Sequence, residues 1–150
     1  VKKLKNKTMK LSKHLDLAEV TRSETAKRKG VSNMPTPEHI ENFKLLAEKI
    51  FEPIREHFNV PIFISSGYRS KALNQAIGGS LTSQHCQGEA IDIDMDGSSS
   101  GVTNAQVFQF IKDNLMFAEI KEQTPVGFKA SMMALRKHWI PIINEVGWNN

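Results

Sequence analysis

The chain has 150 residues, one cysteine, 39% hydrophobic and 24% charged residues and a formal charge of +4, the size and balance of one domain that can bury a core without disulfide staples. Its single cysteine, Cys86, excludes an internal disulfide, so the fold does not depend on an oxidising compartment. The basic excess crowds into Lys2, Lys3, Lys5, Lys7, Lys10 and Lys13, without the aromatic interleaving or the motif of a nucleic-acid binder and with no apolar run behind it to form a secretory leader or a membrane span.

Residues 1–10 are therefore expected to be a basic, solvated extension and residues 11–150 a single domain, with no membrane insertion and no nucleic-acid partner. Thr36 followed by Pro37 is a helix start, an N-cap and then proline at N1. Ile40, Phe43, Ala47, Ile50, Phe51 and Ile54 continue it as one apolar face, which Pro53 should kink or end. Ile62, Phe63 and Ile64 predict a short buried strand that hands Ser65, Ser66 and Gly67 to a loop at its end. Ser70 then caps a short helix running through Ile77 and closed by Gly78 and Gly79. This places Arg69 at a helix entrance, where a guanidinium can grip a carboxylate through two bonds.

Residues 83–94, S-Q-H-C-Q-G-E-A-I-D-I-D, hold the densest chemistry. Gly88 can take the backbone angles that turn a loop into a strand, and the alternation after it sends Ile91 and Ile93 to the core and Ala90, Asp92 and Asp94 to the other face. His85 and Asp92 are both zinc-ligand types, and a catalytic zinc needs three protein ligands with one position open. Asp94 is placed to support them from behind. Cys86, next to His85 on what reads as an extended segment, points the other way and is expected to be a buried, inert thiol. Residues 96–101 predict a turn-rich loop on the rim of a cleft, and the alternating Asp92, Asp94 and Asp96 do not continue in the register of a calcium loop. Thr103 caps a further helix through Val107, Phe108, Ile111 and Leu115. The stretch from Phe128 to Trp139 is rich in helix formers and predicts a helix.

H-x-x-G-x-A-x-D at residues 85–92 follows S-G-Y-R-S at 66–70 and N-x-x-x-G-G-S-x-T-S-Q-H at 74–85, with T-R-S-E-T-A at 21–26 in the lead-in. Together these resemble the zinc D-Ala-D-Ala carboxypeptidase family of metallopeptidases, in its small single-domain phage and bacterial form, over roughly residues 11–117. The resemblance implies an α+β fold, a zinc D,D-peptidase or hedgehog-like arrangement in which a small antiparallel sheet carries the metal site between flanking helices. It implies Zn²⁺ as cofactor, His85 and Asp92 as ligands, Arg69 as a contact to the substrate or oxyanion, and Ser66, Tyr68, Ser83 and Gln84 as substrate contacts. The implied partner is a peptidoglycan stem peptide at the bacterial cell wall, cleaved by a carboxypeptidase or an endolysin-type endopeptidase.

Residues 117–150 depart from the family pattern. Relatives carry a strand resembling W-V-H-V-S whose histidine is the third ligand, whereas Trp139, Ile140, Pro141 and Ile142 stand here and proline has no atom to offer a metal. His138 is the donor at hand, with Glu119 or Glu122 as the base for the attacking water. The alternative is a catalytically inactive relative that binds cell-wall peptide or serves as a structural module.

Overall fold

The computed structural model describes residues 9–80, 82–115, 118–122 and 128–132. The Phe128 to Trp139 helix is tested only in its first five residues, and His138 and Pro141 lie outside the described residues. The architecture is α+β: an N-terminal hairpin, a long interrupted helix, and a four-stranded antiparallel sheet flanked by shorter helices.

β1 (Lys10–Ser12) and β2 (Leu15–Asp16) form the hairpin, and α1 (Leu17–Thr21) and α2 (Glu24–Lys29) follow. Glu52 clasps the hairpin to the main helix. Its carboxylate accepts hydrogen bonds from Ser12 Oγ at 2.6 Å, from the His14 backbone N–H at 2.7 Å and from His14 Nδ1 at 2.7 Å. Burial opposes the charge on Glu52, but the bonds from Ser12 and His14 outweigh it and hold the carboxyl below its ordinary pKa.

α3 (Pro37–Leu46) starts as the sequence predicts, Thr36 Oγ1 accepting from His39 N at 3.2 Å with Pro37 in the first turn. The helix does not end at Pro53. A π-turn (Ala47–Phe51) intervenes, in which Glu52 N–H reaches back five residues to the Ala47 carbonyl, and α4 (Glu52–Phe58) carries on with Pro53 in its first turn. The extra residue in the π-turn re-registers the hydrogen bonds, so the N–H that proline lacks falls where a helix start tolerates its loss. Phe43, Leu46, Ala47, Ile50 and Ile54 are completely buried and form the wall against which the sheet packs.

The sheet order is β3 (Ile64–Ser66), β4 (Ala90–Ile93), β6 (Phe128–Met132), β5 (Ala118–Glu122), every neighbouring pair antiparallel. β3 lies two residues later than its apolar run suggests: Ile62 and Ile64 are buried, but Phe63 is 56% exposed. Ser65 and Ser66 are therefore strand residues rather than loop residues.

β6 corrects the helix expected from Phe128. Helix propensities differ by only a few tenths of a kcal/mol per residue among ordinary side chains, whereas a strand here pairs with β4 on one side and β5 on the other and buries Ala130 and Ser131 completely. Tertiary pairing therefore overrides local preference. α5 (Lys71–Ala76), capped by Ser70 Oγ, and α6 (Asn104–Asn114), opened by a Thr103–Gln106 capping box, stand where the sequence puts them.

Candidate metal and substrate site

The strand register assembles the site. Asp92 on β4 is opposite Ser66 on β3 and opposite Lys129 on β6. His85 arrives from a 3₁₀ turn (Gln84–Gln87), which corrects the extended reading of this stretch. Ser83 Oγ caps the turn by accepting from His85 N at 3.3 Å, and Gly88 closes it at φ +75°. A Cβ on Gly88 would also collide with the His39 carbonyl, so glycine is required there twice over.

His85 is buried, its side chain 4% exposed. Its Nδ1 lies 2.7 Å from the Gly67 carbonyl oxygen and its Nε2 lies 3.1 Å from Asp92 Oδ1. A carbonyl can only accept, so Nδ1 carries a proton, and neutral imidazole then presents a lone pair at Nε2 to a carboxylate oxygen. Two acceptors at that separation need a cation, either a proton on Nε2 or a metal ion. Donors about 2.1 Å from a tetrahedral zinc lie about 3.4 Å apart, close to the spacing seen, and fixing the tautomer by a backbone carbonyl is what a zinc-binding histidine requires. The donor pair therefore fits a metal. Gly67 makes the carbonyl available: a Cβ there would come within 2.5 Å of the Val20 carbonyl oxygen and 2.7 Å of Val20 Cα, so only glycine allows the strand end to lie against α1.

Arg69 is the third side chain brought in. Its Nη2 lies 3.4 Å from Asp92 Oδ2, its Nε lies 3.4 Å from Ser66 Oγ, and its backbone N–H donates to the His85 carbonyl at 3.2 Å. It faces a cleft of about 340 Å³ that Ser66, Tyr68, Leu73 and Arg22 also line. Arg69→Ala is expected to leave thermal unfolding within about 1 kcal/mol, because its ion pair is long and partly solvated, while peptide hydrolysis falls at least tenfold. A large loss of stability with normal turnover would make it a structural residue.

The remaining expected contacts divide. The Tyr68 ring lines the cleft but is mostly buried, packed 5.4 Å from the His39 ring and edge-on to Phe43, and burial pushes its hydroxyl pKa up. Ser83 serves as the cap of the turn that Gln84 begins. Cys86 is buried, and burial raises its thiol pKa against the pull of Arg69 and Lys71, as befits an inert thiol. Asp94 does not support the pair: its Oδ1 accepts from Asn104 Nδ2 at 3.0 Å and fastens the start of α6. The backbone of Glu119 pairs with Ser131, whose neighbour on the other side is Ala90. Among the described residues no third His, Cys, Asp or Glu completes a metal-holding group.

Two neighbours carry no signal in the sequence. Lys129 reaches its place opposite Asp92 only through the β6 register. Asn33 lies 36 positions before Arg69, yet its Nδ2 donates to the Thr21 and Tyr68 carbonyls at 2.9 and 3.0 Å and its Oδ1 accepts from Ser70 N at 2.7 Å. It fastens the backbone on both sides of Arg69.

A small antiparallel sheet and the turns beside it bring an imidazole, a carboxylate and a guanidinium together next to a cleft on an α+β scaffold. Residues 13–122 match the family described as peptidase M15, and the chain belongs to that family of zinc-dependent peptidases. No curated protein matches the chain.

Proposed function

We propose that this protein is a zinc-dependent peptidase that hydrolyses an amide bond in peptidoglycan stem peptides, as a D,D-carboxypeptidase or an endolysin-type endopeptidase acting at the bacterial cell wall. The observation that supports this reading most is the His85–Asp92 pair, its tautomer fixed by Gly67 and its carboxylate shared with Arg69, in a chain of the peptidase M15 family. His85 and Asp92 would hold the ion, with His138 as third donor. When bound, zinc supplies a Lewis acid and a water of lowered pKa.

The chain's own groups do the rest. Gly67 keeps the His85 ring aimed, and Arg69, steadied by Ser66, holds a substrate carboxylate or the oxygen on which negative charge develops. Glu119 takes the proton released by water, and Tyr68, Ser83 and Gln84 shape the peptide path. The test is to load the purified protein with zinc and offer a D-Ala-D-Ala-terminated stem peptide and a cross-linked muropeptide. Cleavage of at least one, abolished by chelation and restored by zinc, is expected. No cleavage of either by protein that retains zinc would overturn the reading.

A further inference from the structure

Arg22 sits at the corner between α1 and α2, its backbone N–H bonded to the Ala18 carbonyl and the next residue, Ser23, capping α2. The corner is tied to the Arg69 loop: Tyr68 N donates to the Val20 carbonyl, and Asn33 joins the Thr21 carbonyl to Tyr68 and Ser70. Arg22 and Arg69 therefore line one cleft, and the two segments that carry them are tied together by these hydrogen bonds. Arg69 is engaged with Asp92 and Ser66. Arg22 is exposed and has no ion pair among the described residues; it stands between this cleft and an adjoining one lined by Glu19 and Phe63, its guanidinium carbon 6.0 Å from the Phe63 ring centroid.

The nearby acids do not fill that role. Glu24, also on the cleft, is paired with Lys27 at 3.4 Å, and Glu19 Oε2 accepts from Asp16 N at 2.8 Å. A guanidinium laid over an aromatic ring loses little further freedom when it takes up an anion. Leu73 and the 46% exposed Ile77 add an apolar patch to the same cleft.

We propose that Arg22 is a second anion-binding residue of the cleft, one that selects a peptide carrying a free carboxylate at a distance from the scissile bond, with a small apolar side chain beside it. This rests on the reading of the site as a peptidase, and it names the substrate class: acidic peptides over their amidated counterparts.

The experiment uses two peptides of one sequence, identical at the scissile bond, in which a carboxylate on its N-terminal side is free or amidated. Binding is measured by calorimetry on the chelator-treated protein, and kcat/KM on the zinc-loaded protein. The wild type is expected to bind the acid about tenfold more tightly, the scale of one charged hydrogen-bonded contact, with the preference shrinking as salt rises. Arg22→Gln should bring the ratio to about one, Arg22→Lys should keep part of it, and Lys112→Gln, which removes the same charge from α6, should leave it in place. Thermal unfolding checks that the Arg22 variants are folded. A wild type without preference, or an Arg22→Gln protein that retains it, overturns the proposal. Acid-selective binding lost in Arg22→Gln, but without hydrolysis by zinc-loaded protein, would remove the peptidase reading and leave this one standing. Hydrolysis without selectivity would do the reverse.

Discussion

Zinc retention is expected to disappear when His85 is replaced by alanine or Asp92 by asparagine, and hydrolysis with it, by at least about a hundredfold. Changing a residue that merely supports a metal ligand costs 10–100-fold, so losing a ligand should cost no less. Asp92→Asn is the more informative change because it is nearly isosteric. With Nδ1 of His85 protonated toward Gly67, the amide nitrogen of asparagine can donate to the Nε2 lone pair, so two facing acceptors become a donor and an acceptor. The metal-free fold should then be at least as stable as the wild type's, and loss of zinc cannot be ascribed to unfolding. The measurement is metal content after desalting, alongside thermal unfolding. Both variants holding one zinc per chain would remove His85 and Asp92 from the metal site.

Much of this centre is legible in the residues because its parts are local. Gly88, the core side of β4 with Ile91 and Ile93, the Ser70 cap and the Thr103 capping box each depend on chemistry within a few positions and stand where that chemistry puts them, whereas Ala90, expected on the other face of β4, is completely buried as well. Failures occur where the deciding partner is distant. The regular α-helix is interrupted ahead of Pro53, as proline requires, but a π-turn wrapped around a fully buried face carries the chain on into a new α-helix instead of ending it. The residues from Phe128 favour helix in isolation, but the vacancy between β4 and β5 is worth more than that preference. Asp94 alternates in phase with Asp92 and is drawn away by Asn104.

The same distinction separates ligands from their supports. His85, Asp92 and Arg69 belong to motifs whose spacing can be read, while the groups that orient them come from elsewhere: a carbonyl on Gly67 for His85 and a side chain on Asn33 for the backbone around Arg69. No pattern of residue types announces a backbone carbonyl as the partner of an imidazole. That contact follows from Gly67 passing against Val20, a packing fact.

Asn33→Ala is expected to cost roughly 2–4 kcal/mol of stability, because one side chain satisfies two carbonyls and one N–H that are partly buried and would lose their partners together. The effect should reach function by a specific route. Asn33 binds the residues on either side of Arg69, so its loss frees the guanidinium's backbone while His85, held by Gly67, keeps its place. Zinc content should therefore hold while kcat/KM falls at least tenfold at a temperature where the variant remains folded. Asn33→Asp sharpens the test: it keeps an acceptor for Ser70 N but turns a carboxylate toward two carbonyl oxygens, so it should be no more stable than the alanine variant. Denaturant unfolding, metal analysis and a peptide hydrolysis assay on the folded protein separate the outcomes. Should stability fall while the folded variant's kcat/KM stays at the wild-type value, Asn33 is a strut of the fold and has no part in positioning Arg69.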